Sequence, residues 1–214
     1  MAELRLVEIF RSIQGESSFA GRPCTFIRTA GCDIRCTYCD ETHAFSGGVR
    51  VTLEQVLERV SELGTRLVEV TGGEPLLQSA VPELVERLLE AGHEVLIETG
   101  GHRDISPLDP RARVIMDVKS PGSQMSQHND LENLKRLRPG DEVKFVLCDR
   151  TDYEWARELV REHALIDRAP VHFSPVHGEL DPRDLSAWIL EDGLEIRLNL
   201  QIHKYVWGSE ATGV

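Results

Sequence analysis

From Arg66 onward the chain alternates short apolar, strand-like runs with helix-like stretches of about 10 to 15 residues, and this alternation constrains the fold before any motif is read. The strand-like runs are 66–71, 94–99, 114–119, 142–148, 170–173 and 195–202. The helical stretches begin with one that Ser79 caps, which carries Leu84, Val85, Leu88 and Leu89 and stops at Gly92. A short helix over 129–137 follows, then one over 152–163 with Trp155, Leu159 and Val160 inward, and one opened by Asp181-Pro182. Strands joined through helices pair in parallel by right-handed crossovers, so the chain is α/β. At 214 residues it is shorter than the ~250 of a complete eight-fold barrel, and a sheet of this kind that curls makes an incomplete, TIM-like β/α barrel. No repeat or linker divides the chain, and we expect one domain over 1–214.

The first third differs. Residues 4–10 and 24–28 read as strands, separated by the polar, glycine-bearing stretch Arg11 to Ser18. Thr52-Leu53-Glu54-Gln55 has the form of a capping box, after which Leu53, Val56, Leu57 and Val60 share one helical face until Gly64.

Gly31-Cys32-Asp33-Ile34-Arg35-Cys36-Thr37-Tyr38-Cys39-Asp40 places three of the five cysteines within eight residues. A disulfide would strand one of them, whereas a metal centre uses all three. A structural zinc wants four protein ligands, and His43 is the only candidate close by for the fourth. Three thiolates on a four-iron cluster would instead leave one iron open to a small molecule. Buried or redox-sensing thiols are the plain alternative, set against the charged neighbours Asp33, Arg35 and Asp40. Cys24 and Cys148 lie in apolar runs and read as packing residues.

Composition narrows the partners. With 41% hydrophobic and 28% charged residues the chain is an ordinary globular one, with no apolar run near the ~20 residues of a membrane span. The net charge of -12 argues against nucleic acid as the main partner. The start alternates like a strand instead of forming a signal peptide, and an odd number of cysteines fits a reducing compartment, so we expect a cytoplasmic protein.

Chemistry in parallel α/β folds gathers at the carboxyl ends of the strands. There the sequence puts Arg28, the cysteine loop, Thr71-Gly72-Gly73-Glu74-Pro75, Thr99-Gly100, Asp117 to Ser120 and Gln201 to Tyr205. The glycine pair lets backbone approach a ligand closely, although a tight strand-to-helix turn would use the same residues.

The cysteine spacing, three residues then two with Tyr38 before the last cysteine, resembles the signature of the radical S-adenosylmethionine (SAM) superfamily, and Gly72-Gly73-Glu74-Pro75 resembles its second motif. Ile13-Gln14-Gly15-Glu16, Phe26-Ile27-Arg28, Ala30-Gly31-Cys32, Cys39-Asp40, Glu98-Thr99-Gly100 and Leu200-Gln201-Ile202-His203-Lys204-Tyr205 narrow the likeness to the 7-carboxy-7-deazaguanine synthase family, over nearly the whole chain.

The resemblance implies a radical SAM partial barrel that converts 6-carboxy-5,6,7,8-tetrahydropterin to 7-carboxy-7-deazaguanine with release of ammonia, on the route to queuosine. It implies a 4Fe-4S cluster on Cys32, Cys36 and Cys39, SAM bound by Tyr38, Asp40, Gly73, Glu74, Lys119 and Ser120, an electron donor such as flavodoxin, and a homodimer. Substrate would meet Ile13, Gln14, Gly15, Arg28, Thr71, Thr99, His203 and Lys204, with Gln14 facing the amide-rich ring edge and Arg28 the carboxylate. The family holds Mg2+ through a hydroxyl directly after Cys-Asp. Here Glu41 stands in that place and Thr42 follows, so either becomes the candidate ligand. A glycyl-radical activase shares the cysteine motif but would leave the Gln-Gly-Glu and His-Lys-Tyr elements without a role.

Overall fold

A computed structural model describes residues 2–213. Nine strands form one sheet: β1 (Glu3–Ile13), β2 (Pro23–Thr29), β3 (Val49–Thr52), β4 (Leu67–Gly72), β5 (Glu94–Thr99), β6 (Arg113–Asp117), β7 (Glu142–Leu147), β8 (Val171–Pro175) and β9 (Arg197–Leu198). Six helices accompany them: α1 (Leu53–Leu63), α2 (Val81–Glu90), α3 (Glu132–Arg136), α4 (Arg150–Glu162), α5 (Pro182–Asp192) and α6 (Ile202–Trp207). The strand order is β3-β1-β2-β4-β5-β6-β7-β8-β9. From β2 to β9 every pairing is parallel, while β1 pairs antiparallel with both β2 and β3. The sheet therefore opens between the β3 edge and β9, as an incomplete barrel.

Alternation along the strands separates two interiors. Val68 and Val70, Val95 and Ile97, Val114 and Met116, and Val143 and Phe145 belong to the large core with the helices. The residues between them point to the other face, where Cys24, Leu67, Leu96 and Ile115 form a small apolar base with Phe19 and Phe26 packed against it. Further along the same strands this inner face turns polar, with Glu69 and Thr71 on β4, Glu98 on β5, Asp117 on β6, Lys144 on β7 and Ser174 on β8. A helix-covered outside with a charged inside builds a site within the sheet's curl.

The β1–β2 connection closes that curl from below. Its Ser17 N–H donates to Asn199 Oδ1 at 2.9 Å, its Ser18 N–H to Glu142 Oε2 at 3.0 Å, and Arg197 Nη1 to Ser18 Oγ at 2.7 Å. Gly15 O accepts from Ile202 N at 2.9 Å. One loop thus ties the β1–β2 end of the sheet to β7 and β9.

Several local expectations need correction. The strand expected over 195–202 shrinks to Arg197–Leu198, and Ile202 instead begins α6, because Gln201 and Ile202 turn inward to bond Glu16 and Gly15. Ser79 does not cap α2, which starts at Val81 after Ala80 with no side-chain cap. The helix expected over 152–163 runs Arg150–Glu162, because Asp149 caps it by accepting from Asp152 N. The helix expected over 129–137 is only Glu132–Arg136. β3 was not anticipated; its four residues follow Gly47-Gly48 and run straight into the α1 cap. The capping box of Thr52 and Gln55 forms, and Gly64 ends α1 at a φ of 67°.

Candidate active site

The cysteine loop crosses the carboxyl ends of the parallel strands and is tied down along its length. Asp33 meets His102 Nε2 at 2.7 Å and Arg103, both after β5. Thr37 donates through its hydroxyl to Gly122 O at 2.8 Å, after β6, and Tyr38 Oη donates to Val146 O at 3.4 Å, near the end of β7. Asp40 accepts from Lys204 Nζ of α6 at 2.6 Å. The anchors come from the segments after β5 and β6, from β7 and from α6.

Cys32, Cys36 and Cys39 are free thiols of intermediate exposure. Burial pushes all three thiols up, Cys39 to about 11, while Lys119 pulls each of them down. Burial also works against the charge on Lys119, but Asp117, 3.0 Å away, and the acidic groups of Tyr38 and Cys36 outweigh it and keep the ammonium protonated. A fixed cation beside three thiols favours thiolate ligands. No three His, Cys, Asp or Glu groups among the described residues converge closely enough to hold a single metal ion. A four-iron cluster takes each cysteine on a different iron, and three cysteines beside a fixed cation are the donor set it would use. His43 does not extend the set, since its Nε2 sits 3.3 Å from Glu41 Oε2.

The Gly-Gly-Glu turn nests directly against this loop. Gly73 N donates to Thr29 O at 3.0 Å and Glu74 N to Gly31 O at 2.7 Å. A side chain at Gly73 would overlap the Gly31 carbonyl and crowd Ala44 O at 3.0 Å, so only glycine permits the approach. Glu74 is buried and saturated: Oε1 accepts from Leu76 N at 3.0 Å and Thr99 Oγ1 at 2.8 Å, and Oε2 from Gly100 N at 2.8 Å. Glu74 and Thr99 thus lock two strand ends together. Ser120 is likewise occupied, its hydroxyl donating to Val146 O at 2.8 Å and Asp152 Oδ2 at 2.9 Å.

Below the loop lies a charged network that the sequence reading did not single out. Lys144 Nζ donates to Glu16 Oε2 at 2.8 Å and to Glu98, and stands 3.5 Å from Asp117 Oδ2. Glu16 Oε1 accepts from Gln201 Nε2 at 2.9 Å. Burial pushes the Glu16 carboxyl up, but Lys144 and Gln201 overcome this and hold it down to about 2. Glu69 is the reverse case: burial, then the Glu98 charge, push its carboxyl well above the carboxylate range, so it is neutral. The available signal was a charge at alternate positions of an otherwise apolar strand, as in Leu67-Val68-Glu69-Val70 and Glu142-Val143-Lys144-Phe145.

Gln14 turns into this network. Its Nε2 donates to Glu69 Oε2 at 2.6 Å and its Oε1 accepts from Glu16 N, which folds the amide inward. His203 covers Gly15, with its imidazole where a side chain at that position would lie, and burial lowers its basicity. Thr71 donates to Glu98 Oε2 at 3.3 Å.

Arg28, with only 12% of its side chain exposed, sits over Phe10 and donates from Nε to Glu8 Oε1 at 2.8 Å. Its Nη1 meets Glu41 Oε1 at 2.9 Å. Burial pushes Glu41 up to about 7 against the pull of Arg28. Glu41 Oε2 is buried without a hydrogen-bond partner, an unsatisfied hard oxygen of the kind Mg2+ takes, while Thr42 is exposed in the following 3-10 turn.

The comparisons agree with this geometry. The family model described as the radical SAM superfamily matches residues 26–119. The 7-carboxy-7-deazaguanine synthase of Chlorobaculum tepidum is 44% identical, over 100% of this chain and 98% of the relative. That of Koribacter versatilis is 44% identical over 99% and 100%. The crystal structure of QueE from Escherichia coli superposes with a TM-score of 0.79 at 23% identity, covering 93% of this chain and 94% of that one, which shows the shared fold. Full-length identity at this level, on a radical SAM fold, makes the chain a member of the 7-carboxy-7-deazaguanine synthase family.

Proposed function

We propose that this chain works as a single radical SAM core domain in the cytoplasm, contracting the ring of 6-carboxy-5,6,7,8-tetrahydropterin to 7-carboxy-7-deazaguanine and releasing ammonia, on the route to queuosine. The carrying observation is that the cysteine loop, the Gly-Gly-Glu turn, buried Arg28 and the His203-Lys204 pair all converge on one polar mouth. Cys32, Cys36 and Cys39 hold the cluster. Tyr38, Asp40, Lys119, Ser120 and the main chain of Gly73-Glu74 border SAM, with Ser120 and the Glu74 carboxylate acting as braces. When bound, the cluster and SAM supply the carbon-centred radical that takes hydrogen from C6 of the substrate.

The rest belongs to the residues around it. Arg28 exchanges Glu41 for the substrate carboxylate through paired N–H donors. Glu41, once released, supplies an oxygen to Mg2+, with Thr42 as the other candidate. Ile13 and Gly15 offer main-chain partners to the ring edge, while Gln14 holds their loop through Glu69. Thr71 and Thr99 floor the pocket, and His203 and Lys204 cover it, with Lys204 latched to Asp40. The carboxyl oxygens of the inner wall suit the ring's several N–H donors. The electron donor is a flavodoxin-like protein, and the enzyme is a homodimer.

The test is anaerobic turnover of the reconstituted protein with reductant, SAM, Mg2+ and 6-carboxytetrahydropterin. Formation of 7-carboxy-7-deazaguanine with SAM retained is expected. SAM cleavage without that product would overturn the substrate assignment, and full iron loading after Cys32→Ala, Cys36→Ala or Cys39→Ala would overturn the cluster ligands.

A further inference from the structure

His102 stands outside every motif discussed above, yet it lies between the two segments that face cluster and SAM. Its Nε2 is 2.7 Å from Oδ1 of Asp33, the residue after Cys32. Its Nδ1 is 3.8 Å from Oε2 of Glu74, in the Gly-Gly-Glu turn. The side chain is only 6% exposed and its ring lies over Gly100, whose N–H is itself bound to Glu74.

The segment carrying His102 is rigidly held. Asn133 of α3, fully buried, donates from Nδ2 to Gly101 O at 3.0 Å and Arg103 O at 2.7 Å, and accepts from Ile105 N at 3.3 Å. Arg103 adds a second contact to Asp33. A buried asparagine therefore fixes 101–105, and that segment in turn grips the start of the cysteine loop.

Packing alone does not account for an imidazole here. Nδ1 is buried and makes no hydrogen bond, which costs free energy that a phenyl ring of similar shape would not incur. The polar ring is explained by its one bond, from Nε2 to Asp33 of the cysteine loop, made while the ring packs on Gly100 beside Glu74 of the neighbouring turn.

We infer that His102 is a positioning residue, holding Asp33 of the cysteine loop against the Gly100-Gly101 segment that Glu74 binds, and so setting the register between the cluster and the surface that receives SAM. The inference rests on the assignment of Cys32, Cys36 and Cys39 as cluster ligands. Partners that orient the residues around a metal centre typically matter to its affinity or activity by about 10- to 100-fold.

The experiment compares the parent protein with His102→Phe, which keeps the ring volume and removes both nitrogens, and His102→Gln, whose amide N–H reaches near Nε2. Each is reconstituted anaerobically and read by iron and sulfide content, by equilibrium SAM binding, and by the electron paramagnetic resonance spectrum of the reduced cluster with and without SAM. His102→Phe is expected to keep its cluster but to bind SAM about tenfold more weakly, with a smaller SAM-induced spectral change. His102→Gln is expected to return toward the parent, which a role in packing would not produce.

Parent-like SAM affinity and spectrum in His102→Phe overturn the inference. Should His102→Phe fail to fold, Asp33→Ala removes the same contact from the exposed loop, and parent-like SAM binding there overturns it equally. Retention of the whole cluster in the three cysteine variants would instead sink the ligand assignment beneath it, a distinguishable result.

Discussion

The imidazole of His203 occupies the space in which Gly15 would carry a side chain: a Cβ built on Gly15 would overlap Nδ1. The β1–β2 loop and the C-terminal helix are thus fitted together through one missing methyl group. Gly15→Ala would push His203 away while leaving the cores intact. The expected result is a thermal midpoint close to the parent's and a fall in kcat/KM of about 100-fold, since displacements near 1 Å cost that much at a reacting centre. Parent-like turnover would show that His203 has no part in holding substrate.

Lys144 is the buried cation between Glu16, Glu98 and Asp117. Removing one partner of a buried charge network leaves the others uncompensated, at a cost of about 3–5 kcal/mol. Lys144→Met should lose stability of that order in urea denaturation. Adding Glu98→Gln should recover part of the loss, a non-additivity that identifies the pair as coupled.

Glu69 of the inner face and Glu16 of the β1–β2 loop should leave opposite marks on the pH dependence of stability. Glu69 has its folded value raised above its ordinary 4.5, so the native state holds the extra proton, and stability falls as pH rises above 4.5, by up to about 1.4 kcal/mol per pH unit. Glu69→Gln mimics the neutral form and should exceed the parent's stability increasingly toward alkaline pH. Glu16, held down to about 2, contributes stability that is present above 4.5 and lost as pH falls toward 2. Glu16→Gln should flatten that acid limb. Thermal midpoints across pH read both, and parallel curves for Glu69→Gln and parent would show that Glu69 is ionised when folded.

Glu41 and Thr42 can be separated by magnesium titration in the presence of substrate. The unsatisfied, buried Oε2 of Glu41 favours it as the ligand, so Glu41→Gln should weaken Mg2+ binding about tenfold or more, and Thr42→Val should leave it unchanged. The opposite pattern would assign the metal to the hydroxyl.

Local chemistry decided much of this protein from the sequence alone. The Thr52-Gln55 capping box, the Gly64 stop and the Asp181-Pro182 start of α5 act over a few residues, and each forms where the chain reads that way. The cysteine spacing and the Gly-Gly-Glu turn are also local, and alternating strands and helices sufficed for an α/β sheet because parallel pairing needs those crossovers. The tertiary structure decided what depends on contacts across the sheet. Gln14 is drawn inward by Glu69, 55 residues away, and Lys144 becomes a hub only when β7 is set beside β6 and the β1–β2 loop arrives beneath it. The end of the chain leaves the strand for α6 because Gln201 and Ile202 find partners in Glu16 and Gly15. Periodicity reports which face a residue occupies; only the curl of the sheet determines which distant charges meet on that face.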